Sequence, residues 1–525
     1  MRKLSADVVV IGGGSTGVGV VRDVAMRGYR AILLERADLG QGTTARFHGL
    51  LHSGARYVVS DPQSATECAQ ENAILRKIQP QAIEDTGGFF VSLSGDDEQY
   101  PNKFLAGAKL AKVAVEEISC ASARRREPRL NPNLARVFEV ADGSVDGWQL
   151  VWSAARSAQS YGAKVLTYHQ VQSIESSQGQ VSGVIALNRK NNEQVHIECG
   201  FVLNCAGPWA GQVAALAKCR PVQVVPGRGI MIAMNHRLVN TVINRCVYPA
   251  DGDILVPAHT VSIIGTTDVH ADNPDDLAIP ADEIAQMLDA GEQLIPGFRH
   301  SRPLHVWAGA RPLMKDERVM ADDTRHMSRG MAVLDHQSRD GLSGMLSIGG
   351  GKLTTYRLMA EHIVDAMEEQ IGGHRPCRTA HEAVPGAQSG KLYSASHRLA
   401  KREAHWQEEK VLCECEQISG ADLDREVKEG PENSSLDDLR RRLRIGMGPC
   451  QGGICAARFA GAMCGLNIDK ASRASALLQK FYRNRWIGLS PIQFGEQVRQ
   501  TALDYWISQG TLNSEHLDDA DEVIL

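Results

Sequence analysis

Near the start of the chain, the spacing of apolar residues changes from that of a strand to that of a helix and back again. Residues 8–11 are β-branched throughout, which is typical of a parallel strand that is buried on both faces. Apolar residues then recur at helical spacing until Gly28, and a second apolar run occupies 31–34. The pattern predicts a strand, a helix and a second strand, which is the repeating unit of α/β proteins.

A similar pattern returns much later in the chain. The apolar run 345–348 leads into three glycines, after which apolar or aromatic side chains recur on one helix face from near Thr354. The N-terminus of such a helix can stabilise the negative charge of a bound group. An ordinary strand-turn-helix connection remains an alternative.

The C-terminal third has its own organisation. Residues 419–449 predict two short helices, with Ser419 capping the first and Ser434 or Ser435 the second. The basic run LRRRLR in the second helix is predicted to be a solvated face. Small polar, basic, proline and glycine residues before this region predict a linker. We therefore predict four parts with the boundaries 1–372, 373–410, 411–462 and 463–525, of which 373–410 is the linker and 463–525 is a helical segment.

Length and composition are those of a globular protein with several domains. At 525 residues the chain is too long for one hydrophobic core. A net charge of -5 gives nucleic acid no general attraction, and no apolar stretch approaches the roughly 18 residues needed to cross a bilayer. The N-terminus lacks the features of a secretion signal, and scattered cysteines fit a reducing compartment. We expect a cytoplasmic protein that reaches a membrane only through partners.

Three glycines of the first turn stand where a dinucleotide requires them. Gly12, Gly14 and Gly17 fit the pattern G-x-G-x-x-G, which permits a tight turn, close approach to a pyrophosphate and packing of helix on strand. Glu35, after the second strand, can accept hydrogen bonds from a ribose and disfavours a 2′-phosphate. The spacing predicts an unphosphorylated dinucleotide and leaves FAD and NAD both open.

Five further stretches resemble a known family. They are TTARFHGLLHSGARYVVSD (43–61), VLNCAGPWA (202–210), IIGTTD (263–268), AGARPL (308–313) and GGGKLTTYRLMAE (349–361). Together with the N-terminal motif, they resemble the FAD-dependent glycerol-3-phosphate dehydrogenases of the glycine/D-amino-acid oxidase fold. The C-terminal extension resembles that of the large catalytic A subunits of the anaerobic enzymes.

The resemblance implies an α/β fold in which a Rossmann-like FAD-binding domain is interleaved with a substrate-binding α+β domain. A small helical [2Fe-2S]-binding domain and a helical segment follow. The FAD-binding residues that it implies are Gly12, Gly14, Ser15, Thr16, Gly17, Glu35, Arg36, Thr43, Thr44, His48, Gly49, Leu50, Val171, Ala206, Gly207, Gly350, Gly351, Lys352 and Leu353. Single-subunit relatives carry a Ser-Ser-Lys-Leu-Ile-His-Gly-Gly type of stretch where this chain has RFHGLLHSG.

The resemblance also implies a substrate and an active site. Arginine suits a phosphate dianion because its planar fork donates parallel hydrogen bonds. The family positions for substrate arginines are Arg56, Arg311 and Arg329, although each could instead form a surface salt bridge. We assign proton abstraction from the C2 hydroxyl to His52, with a scaffold role as the alternative, and stabilisation of the developing charge to Lys352. The implied reaction converts sn-glycerol 3-phosphate to dihydroxyacetone phosphate as a hydride passes to FAD N5.

Four of the twelve cysteines are gathered in the C-terminal third. They form a C-x-C pair and, after a helical spacer, a C-x4-C pair, namely Cys413, Cys415, Cys450 and Cys455. Disulfides suit a reducing compartment poorly, and zinc rarely uses C-x-C. The spacing resembles the [2Fe-2S]-binding domain of the bacterioferritin-associated ferredoxin type, which implies a cluster that transfers single electrons.

The family resemblance further implies two partners. One is a smaller B subunit of flavin type, and the other is an iron-sulfur C subunit, which docks on the inner membrane and delivers electrons to quinone. Two other functions remain open. The first is a dehydrogenase of a hydroxy acid or amino acid with the same cofactors. The second is an electron-transfer or iron-release binding module whose flavin domain is degenerate.

Overall fold

The computed structural model of the chain describes residues 1–314, 330–389, 395–405, 410–431, 434–464, 471–495 and 497–510. Arg329, which the sequence assigns to the substrate, lies outside these residues. No helix within the described ranges is long and apolar enough to span a bilayer. The described helices are α1 (Ser15–Met26), α2 (Pro62–Ile78), α3 (Tyr100–Leu110), α4 (Cys120–Arg126), α5 (Gly147–Ser160), α6 (Ala210–Leu216), α7 (Ala281–Leu294), α8 (His336–Asp340), α9 (Tyr356–Ile371), α10 (Ala395–Ala404), α11 (Gly420–Glu429), α12 (Leu436–Leu443), α13 (Cys455–Cys464), α14 (Ala471–Leu489) and α15 (Gln497–Tyr505).

A six-stranded sheet carries both glycine turns. Its strands are β2 (Val8–Ile11), β3 (Ala31–Leu34), β10 (Lys164–Leu166), β14 (Phe201–Asn204), β21 (Met331–Asp335) and β22 (Met345–Gly350). Their order is β10-β3-β2-β14-β22-β21, and only the edge pair β21 and β22 is antiparallel. The two predicted N-terminal strands are confirmed with the predicted bounds. Strand β22 extends two residues beyond the predicted run, and α9 begins two residues later than predicted because 352–356 form tight turns.

Layers on the two faces bury this sheet. Helices α1, α5 and α9 cover one face, where apolar side chains such as Val20, Leu150 and Ile363 form the core. The other face packs against α6 and a four-stranded sheet. That sheet consists of β1 (Arg2–Ser5), β11 (His169–Ser177), β12 (Gln180–Asn188) and β13 (Gln194–Glu198). Coverage of both faces explains why the parallel strands are apolar at every position.

A second large sheet is interleaved with the first along the chain, as the sequence predicts. It contains β6 (Gly88–Leu93), β7 (Val115–Ile118), β8 (Leu134–Val140), β15 (Val224–Met234), β16 (Val242–Arg245), β17 (Ile254–Ala258), β18 (Val261–Gly265), β19 (Val269–His270) and β20 (Pro303–Met314). Its pairs are antiparallel except β6 with β16. A small sheet lies beside it, formed by β4 (Leu50–Leu51), β5 (Ile83–Glu84) and β9 (Gly143–Val145).

The C-terminal region forms a compact module. A strand pair, β23 (Val411–Cys413) and β24 (Ile418–Ser419), packs with α11 to α14 around a core that includes Leu439 and Phe459. Ser419 and Ser435 close capping boxes with Asp422 and Asp438, so the predicted pair of capped helices is confirmed and Ser435 is the second cap.

The prediction of a solvated face for LRRRLR is wrong. Helix α12 packs against the flank of the first sheet's helices, and Arg442 is only 2% exposed. Its guanidinium lies 4.3 Å from the Trp152 ring and forms an ion pair with the buried Asp38 at 3.2 Å. The positive charge of Arg442 is therefore compensated by Asp38, which is distant in the sequence, and not by water.

The region that the sequence predicts as a linker also touches the first sheet's helices. Arg22 of α1 donates to the carbonyls of Thr379 and Glu382, at 3.4 and 2.5 Å, and Val384 is buried. Helix α10 follows, and its Arg398 donates to the carbonyl of Glu416 at 3.1 Å. These contacts tie the C-terminal module to the rest of the protein on both sides of residues 390–394.

Candidate functional site

A long cavity of about 510 Å³ runs along the carboxyl ends of β2, β3 and β14. Its floor is the first glycine turn, whose geometry excludes side chains. Gly12 has a φ of +107°, and a Cβ on Gly17 would lie 1.8 Å from the carbonyl oxygen of Gly12. Only glycine fits either position, because the first needs a left-handed backbone and the second lets α1 approach β2.

Glu35 closes the end of the cavity beside β3. Its carboxylate accepts hydrogen bonds from the backbone N–H groups of Gly13, at 2.7 Å, and Ala37, at 2.9 Å. Desolvation raises the pKa of Glu35, although these N–H groups act in the opposite direction. The carboxylate is held rigidly at the place where a dinucleotide ribose is bound in this type of sheet.

The second glycine turn forms the other end of the cavity. Gly350 and Gly351 have φ values of +76° and +72°, and a Cβ on Gly350 would lie 2.2 Å from the carbonyl oxygen of Gly330. The turn continues through Lys352, whose N–H donates to the Thr355 hydroxyl at 3.2 Å, into the N-terminus of α9. Residues 350–353 of this turn line the cavity directly before α9, and a helix N-terminus favours negative charge near it.

Most of the FAD-binding residues that the sequence predicts line this one cavity. They are Gly12, Gly14, Ser15, Thr16, Glu35, Arg36, Thr43, Thr44, His48, Leu50, Val171, Ala206, Gly207, Gly350, Gly351, Lys352 and Leu353. Gly17 and Gly49 do not line it. Gly17 packs α1 on β2, and Gly49, with a φ of +87°, shapes the loop that carries His48.

A second pocket adjoins the long cavity, and we call it the substrate pocket because residues predicted to bind the substrate line it. Seven residues line both spaces and mark the junction between them, namely Thr43, Arg46, Phe47, His48, His52, Tyr57 and Arg311. The predicted Arg56 lines the substrate pocket and not the long cavity. The structure therefore brings together His52, Arg56, Arg311 and Lys352 from separate parts of the chain.

The junction is built around the ring of Tyr57. The His52 ring lies 5.3 Å from it between centroids, and Lys352 Nζ lies 4.5 Å from the Tyr57 centroid. The backbone N–H of His52 donates to the Thr354 hydroxyl at 3.1 Å, which fixes the histidine loop to the second glycine turn. His48 Nδ1 accepts from the Leu50 N–H at 3.1 Å. The imidazole of His52 and the ammonium group of Lys352 thus lie beside the same tyrosine ring, near the place where the two spaces meet.

Sequence reasoning missed the carboxylates that hold two of the arginines, and it missed Arg46. Arg56 contacts Asp253 at 2.9 Å, and Arg311 contacts Asp268 at 2.7 Å. The partners in these two pairs are 197 and 43 residues apart in the chain, so no local sequence pattern indicates that they meet. Arg46 lies in the stretch TTARFHG, residues 43–49. Its position between the predicted FAD-binding residues Thr44 and His48 could have identified it from the sequence.

The four clustered cysteines meet in the C-terminal module. The thiols of Cys455 and Cys415 donate to Cys413 and Cys450 and lower the pKa of each acceptor. Backbone N–H groups also face the sulfurs, from Gly446 towards Cys413 and from Gly452 and Ile454 towards Cys450. Cys413 and Cys455 are buried, whereas Cys415 and Cys450 are half-buried. Thiolates that accept N–H hydrogen bonds are suited to hold iron.

A β-hairpin joins the cysteine site to the substrate pocket. Strands β17 and β18 carry Ile254 and lead to Thr266 at the pocket, and the turn between them contains Thr260. A Cβ on Gly448 would lie 3.1 Å from Cys415 Sγ and 3.4 Å from the Thr260 hydroxyl. The two sites are therefore separated by about one strand of five residues, roughly 17 Å.

Buried charged side chains stabilise the contact between the cysteine module and the β17–β18 hairpin. Glu416, next to Cys415, accepts from His259 Nδ1 at 2.7 Å and from Arg444 at 2.9 Å. Arg444 also reaches Asp146, the N-cap of α5, at 3.3 Å. Burial alone would raise the pKa of Glu416, but the Arg444 guanidinium and the hydrogen bond with His259 lower it to about 2. Because these buried charges have partners, the module has a defined position against the first sheet's helices.

A separate cluster consists of Cys219, His336 and Asp340, and it is the one group of three among the described residues whose ligand atoms all lie within 4.8 Å of one another. His336 uses both ring nitrogens, on Asp340 at 2.6 Å and on Ser347 at 2.8 Å. Arg220 and Arg339 also contact Asp340. Because these side chains already bind one another and two arginines, we interpret the cluster as a structural network at α8 and assign no metal to it.

The fold and the long cavity define a flavin-dependent oxidoreductase. The family model described as "FAD dependent oxidoreductase" matches residues 7–357. Solved structures agree on the fold. A glycerol-3-phosphate dehydrogenase from Bacillus halodurans, complexed with FAD, is similar with a TM-score of 0.60 and 20% identity, over 99% of this chain and 93% of that chain. A glycine oxidase from Geobacillus kaustophilus has a TM-score of 0.56 and 18% identity, over 73% of this chain and 99% of its own.

Curated relatives extend the match to the cysteine module. The A subunit of the anaerobic glycerol-3-phosphate dehydrogenase of Escherichia coli is 40% identical over 97% of each chain. The corresponding A subunit of Haemophilus influenzae is 38% identical over 99% of this chain and 96% of its own. The chain belongs to the family of anaerobic glycerol-3-phosphate dehydrogenase A subunits, within the FAD-dependent oxidoreductases.

Proposed function

We propose that the protein oxidises sn-glycerol 3-phosphate to dihydroxyacetone phosphate with FAD. The observation that carries this proposal is the substrate pocket, in which arginines from three loops and strands surround a space that opens on His52 at the end of the long cavity. Arginine is the side chain best suited to a phosphate dianion. The substrate named by the curated relatives is of this kind.

The residues that line the long cavity supply the hydrogen-bond donors and acceptors that FAD requires. A pyrophosphate would meet the N–H groups at the start of α1, and Glu35 would meet the ribose. The other end has the glycine turn and the α9 N-terminus, which suit the flavin ring beside His48 and Leu50. Bound there, FAD supplies the acceptor for a hydride from the substrate carbon, while the protein positions the substrate and moves the proton.

An anaerobic absorbance titration of the purified holoprotein tests the reaction. We expect sn-glycerol 3-phosphate to bleach the flavin band at low concentration, because the arginines bind its phosphate, whereas glycerol and a 2-hydroxy acid bleach it weakly. Bleaching by the 2-hydroxy acid or an amino acid instead would assign the substrate to that class. A protein that carries FAD and iron but shows no bleaching with any of them would be an electron-transfer or iron-binding module.

We propose His52 as the base that accepts the proton of the C2 hydroxyl. Changing His52 to Gln should lower the rate of flavin reduction by about 10² to 10⁴-fold and remove the rise of kcat/KM with pH, because a general base then no longer operates. Stopped-flow reduction measures both effects.

The matched control is His300→Gln, at an exposed position of a short helical turn. It should reduce its flavin at the wild-type rate. If His52→Gln also did so, the proton acceptor would be another group, and Lys352, which also contacts the Tyr57 ring, would be the next to test.

We also propose that Cys413, Cys415, Cys450 and Cys455 hold a [2Fe-2S] cluster. A single zinc ion with bonds of about 2.3 Å would require all four sulfurs within about 3.8 Å of one another. No three of them form such a compact group within 4.8 Å. Contacts instead link the thiols in a row, Cys413 to Cys455, Cys455 to Cys450 and Cys450 to Cys415, which is a more extended group of four sulfur ligands. Such a cluster passes electrons one at a time.

Partner proteins would receive these electrons. We propose that they include a B subunit of flavin type and an iron-sulfur C subunit, and that the complex works on the cytoplasmic face of the inner membrane and reduces quinone. Support comes from the relatives, which are named as A subunits, and from exposed apolar side chains. Ile454, beside Cys455, is 56% exposed. Further exposed apolar side chains occur along the C-terminal segment, namely Ile487, Phe494, Val498, Leu503, Trp506 and Ile507.

A further inference from the structure

One loop forms much of the end of the long cavity beside β3, and we call residues 35–42 the ribose loop. Five of its residues line the cavity, namely Glu35, Arg36, Ala37, Gln41 and Gly42. On its inner side the N–H of Gly40 donates to the carbonyl of Gly13 at 2.9 Å, which attaches the loop to the first glycine turn. Because Glu35 would meet the ribose of FAD, the position of this loop sets the geometry of that contact.

The outer side of the ribose loop lies against helix α12 of the cysteine module. Asp38 is fully buried and forms ion pairs with Arg442 at 3.2 Å and with Arg441 at 3.4 Å. In the orientation that satisfies both of its neighbours, the Gln41 amide oxygen accepts from the Asp38 N–H at 3.2 Å and from Arg441 at 2.8 Å. Burial and the nearby Asp438 carboxylate raise the pKa of Asp38 to about 6, while the two arginines stabilise its charged form. Since Gln41 lines the cavity, only one side chain separates α12 from the cofactor space.

A second loop at the same end of the cavity also contacts α12. Tyr168 directly precedes residues 169–171, which line the cavity. The Tyr168 hydroxyl donates to the buried Asp438 carboxylate at 2.6 Å, and Asp438 in turn contacts Arg441. The N–H of Tyr168 donates to the carbonyl of Ala37 at 2.9 Å, which joins this loop to the ribose loop. Two walls of the cavity are therefore attached to one helix of the cysteine module.

The cysteine module also has contacts that lie away from the cavity. Arg156 of α5 forms an ion pair with Glu426 of α11 at 2.8 Å, and neither residue lines the long cavity. The Gln149 side chain donates to the carbonyl of Arg442 at 2.7 Å. Docking of the module is thus shared among several contacts. A role of Asp38 and Tyr168 in cofactor binding can therefore be separated by experiment from a role in docking alone.

We propose that helix α12 is part of the FAD site, and that Asp38 and Tyr168 are positioning residues through which the cysteine module holds the adenosine end of the cofactor. The inference rests on the proposed FAD in the long cavity and goes beyond it, because it makes retention of FAD depend on the module that carries the cysteines. A coupling between two sites is reciprocal, so bound FAD also stabilises the docking of α12. The protein then holds FAD firmly only when the module proposed to receive its electrons is docked.

The test measures FAD release from purified full-length holoproteins by the rise in flavin fluorescence after dilution. Asp38→Asn should release FAD on the order of tenfold faster, because the ribose loop loses its charged hydrogen bonds to α12. Tyr168→Phe should release it about threefold faster, since one hydrogen bond is lost and the ring is kept. The matched control is Arg156→Gln, which breaks an ion pair of the same module and should release FAD at the wild-type rate.

Hydrogen exchange supplies a readout that a purely structural role would not change. In the wild type and in Arg156→Gln, amide protection of residues 436–443 should fall when FAD is removed, because the coupling is reciprocal. In Asp38→Asn the difference in protection between the FAD-bound and FAD-free forms should shrink on the order of tenfold. Iron content, measured in parallel, should stay at the wild-type value in Tyr168→Phe and Arg156→Gln.

Wild-type release rates in both Asp38→Asn and Tyr168→Phe would overturn the inference. Protection of α12 that is the same with and without FAD in the wild type would also do so, and an equal acceleration in Arg156→Gln would remove the assignment to Asp38 and Tyr168. If Asp38→Asn does not fold, Tyr168→Phe decides, and release at the wild-type rate contradicts the inference. None of these measurements uses the substrate, so a wild-type flavin that sn-glycerol 3-phosphate does not bleach contradicts only the proposed function.

Discussion

Gly17→Ala is expected to yield a protein without FAD and with activity at background. The added Cβ would lie 1.8 Å from the carbonyl oxygen of Gly12 and 2.9 Å from its carbonyl carbon. Both are backbone atoms of the turn, so relief requires α1 to move away from β2. The pyrophosphate site depends on that approach, because the first N–H groups of the helix must reach the phosphates. Flavin absorbance relative to protein absorbance measures the loss, and the anaerobic titration measures the activity.

Gly461→Ala is the control for this change. Gly461 lies in α13, where an added Cβ meets nothing within 4 Å, so the variant should keep its FAD. It should also gain about 0.5 to 1 kcal/mol of helix stability, since alanine favours the helix over glycine. Full FAD occupancy in Gly17→Ala would show that the cavity holds the cofactor in some other way than through this turn.

Cys450→Ser is expected to abolish electron delivery to quinone while sn-glycerol 3-phosphate still bleaches the flavin. Cys450 accepts hydrogen bonds from two backbone N–H groups, and the Cys415 thiol contacts it. Serine cannot supply the thiolate, so the proposed cluster should be lost, whereas the substrate pocket about one strand away should be unchanged. Iron and sulfide content, the cluster's visible absorbance and quinone reduction with the partner proteins would be measured.

Cys464→Ser provides the comparison for the cluster variant. Cys464 ends the helix that begins at Cys455 but belongs to neither cysteine pair, so this variant should retain iron and quinone reduction. Zinc in place of iron in the wild-type protein would contradict the cluster. Quinone reduction by an iron-free Cys450→Ser protein would contradict its role in electron transfer.

Local patterns predicted the glycine turns, the helix caps and the N-terminal strand bounds correctly, because these depend on neighbours in the chain. Residues 8–11 and 31–34 are strands as predicted, and Ser419 caps its helix as predicted. The prediction from the charge run LRRRLR was wrong. Nothing within that helix indicates that Asp38, about 400 positions earlier, lies beside Arg442 in the fold. The domain boundaries and the roles of the individual site residues stay predictions.

By itself the sequence determined that a dinucleotide-binding strand-helix unit begins the chain and that four cysteines share one module, since glycine and cysteine spacing act over short stretches of backbone. Only the tertiary structure decided which arginines face the substrate pocket with a carboxylate and which without one. Strand order places Asp253 beside Arg56 and Asp268 beside Arg311, while Arg46 receives no contacting carboxylate among the described residues. The charge left in a pocket depends on partners that the fold brings from distant segments, and short-range periodicity carries no information about them.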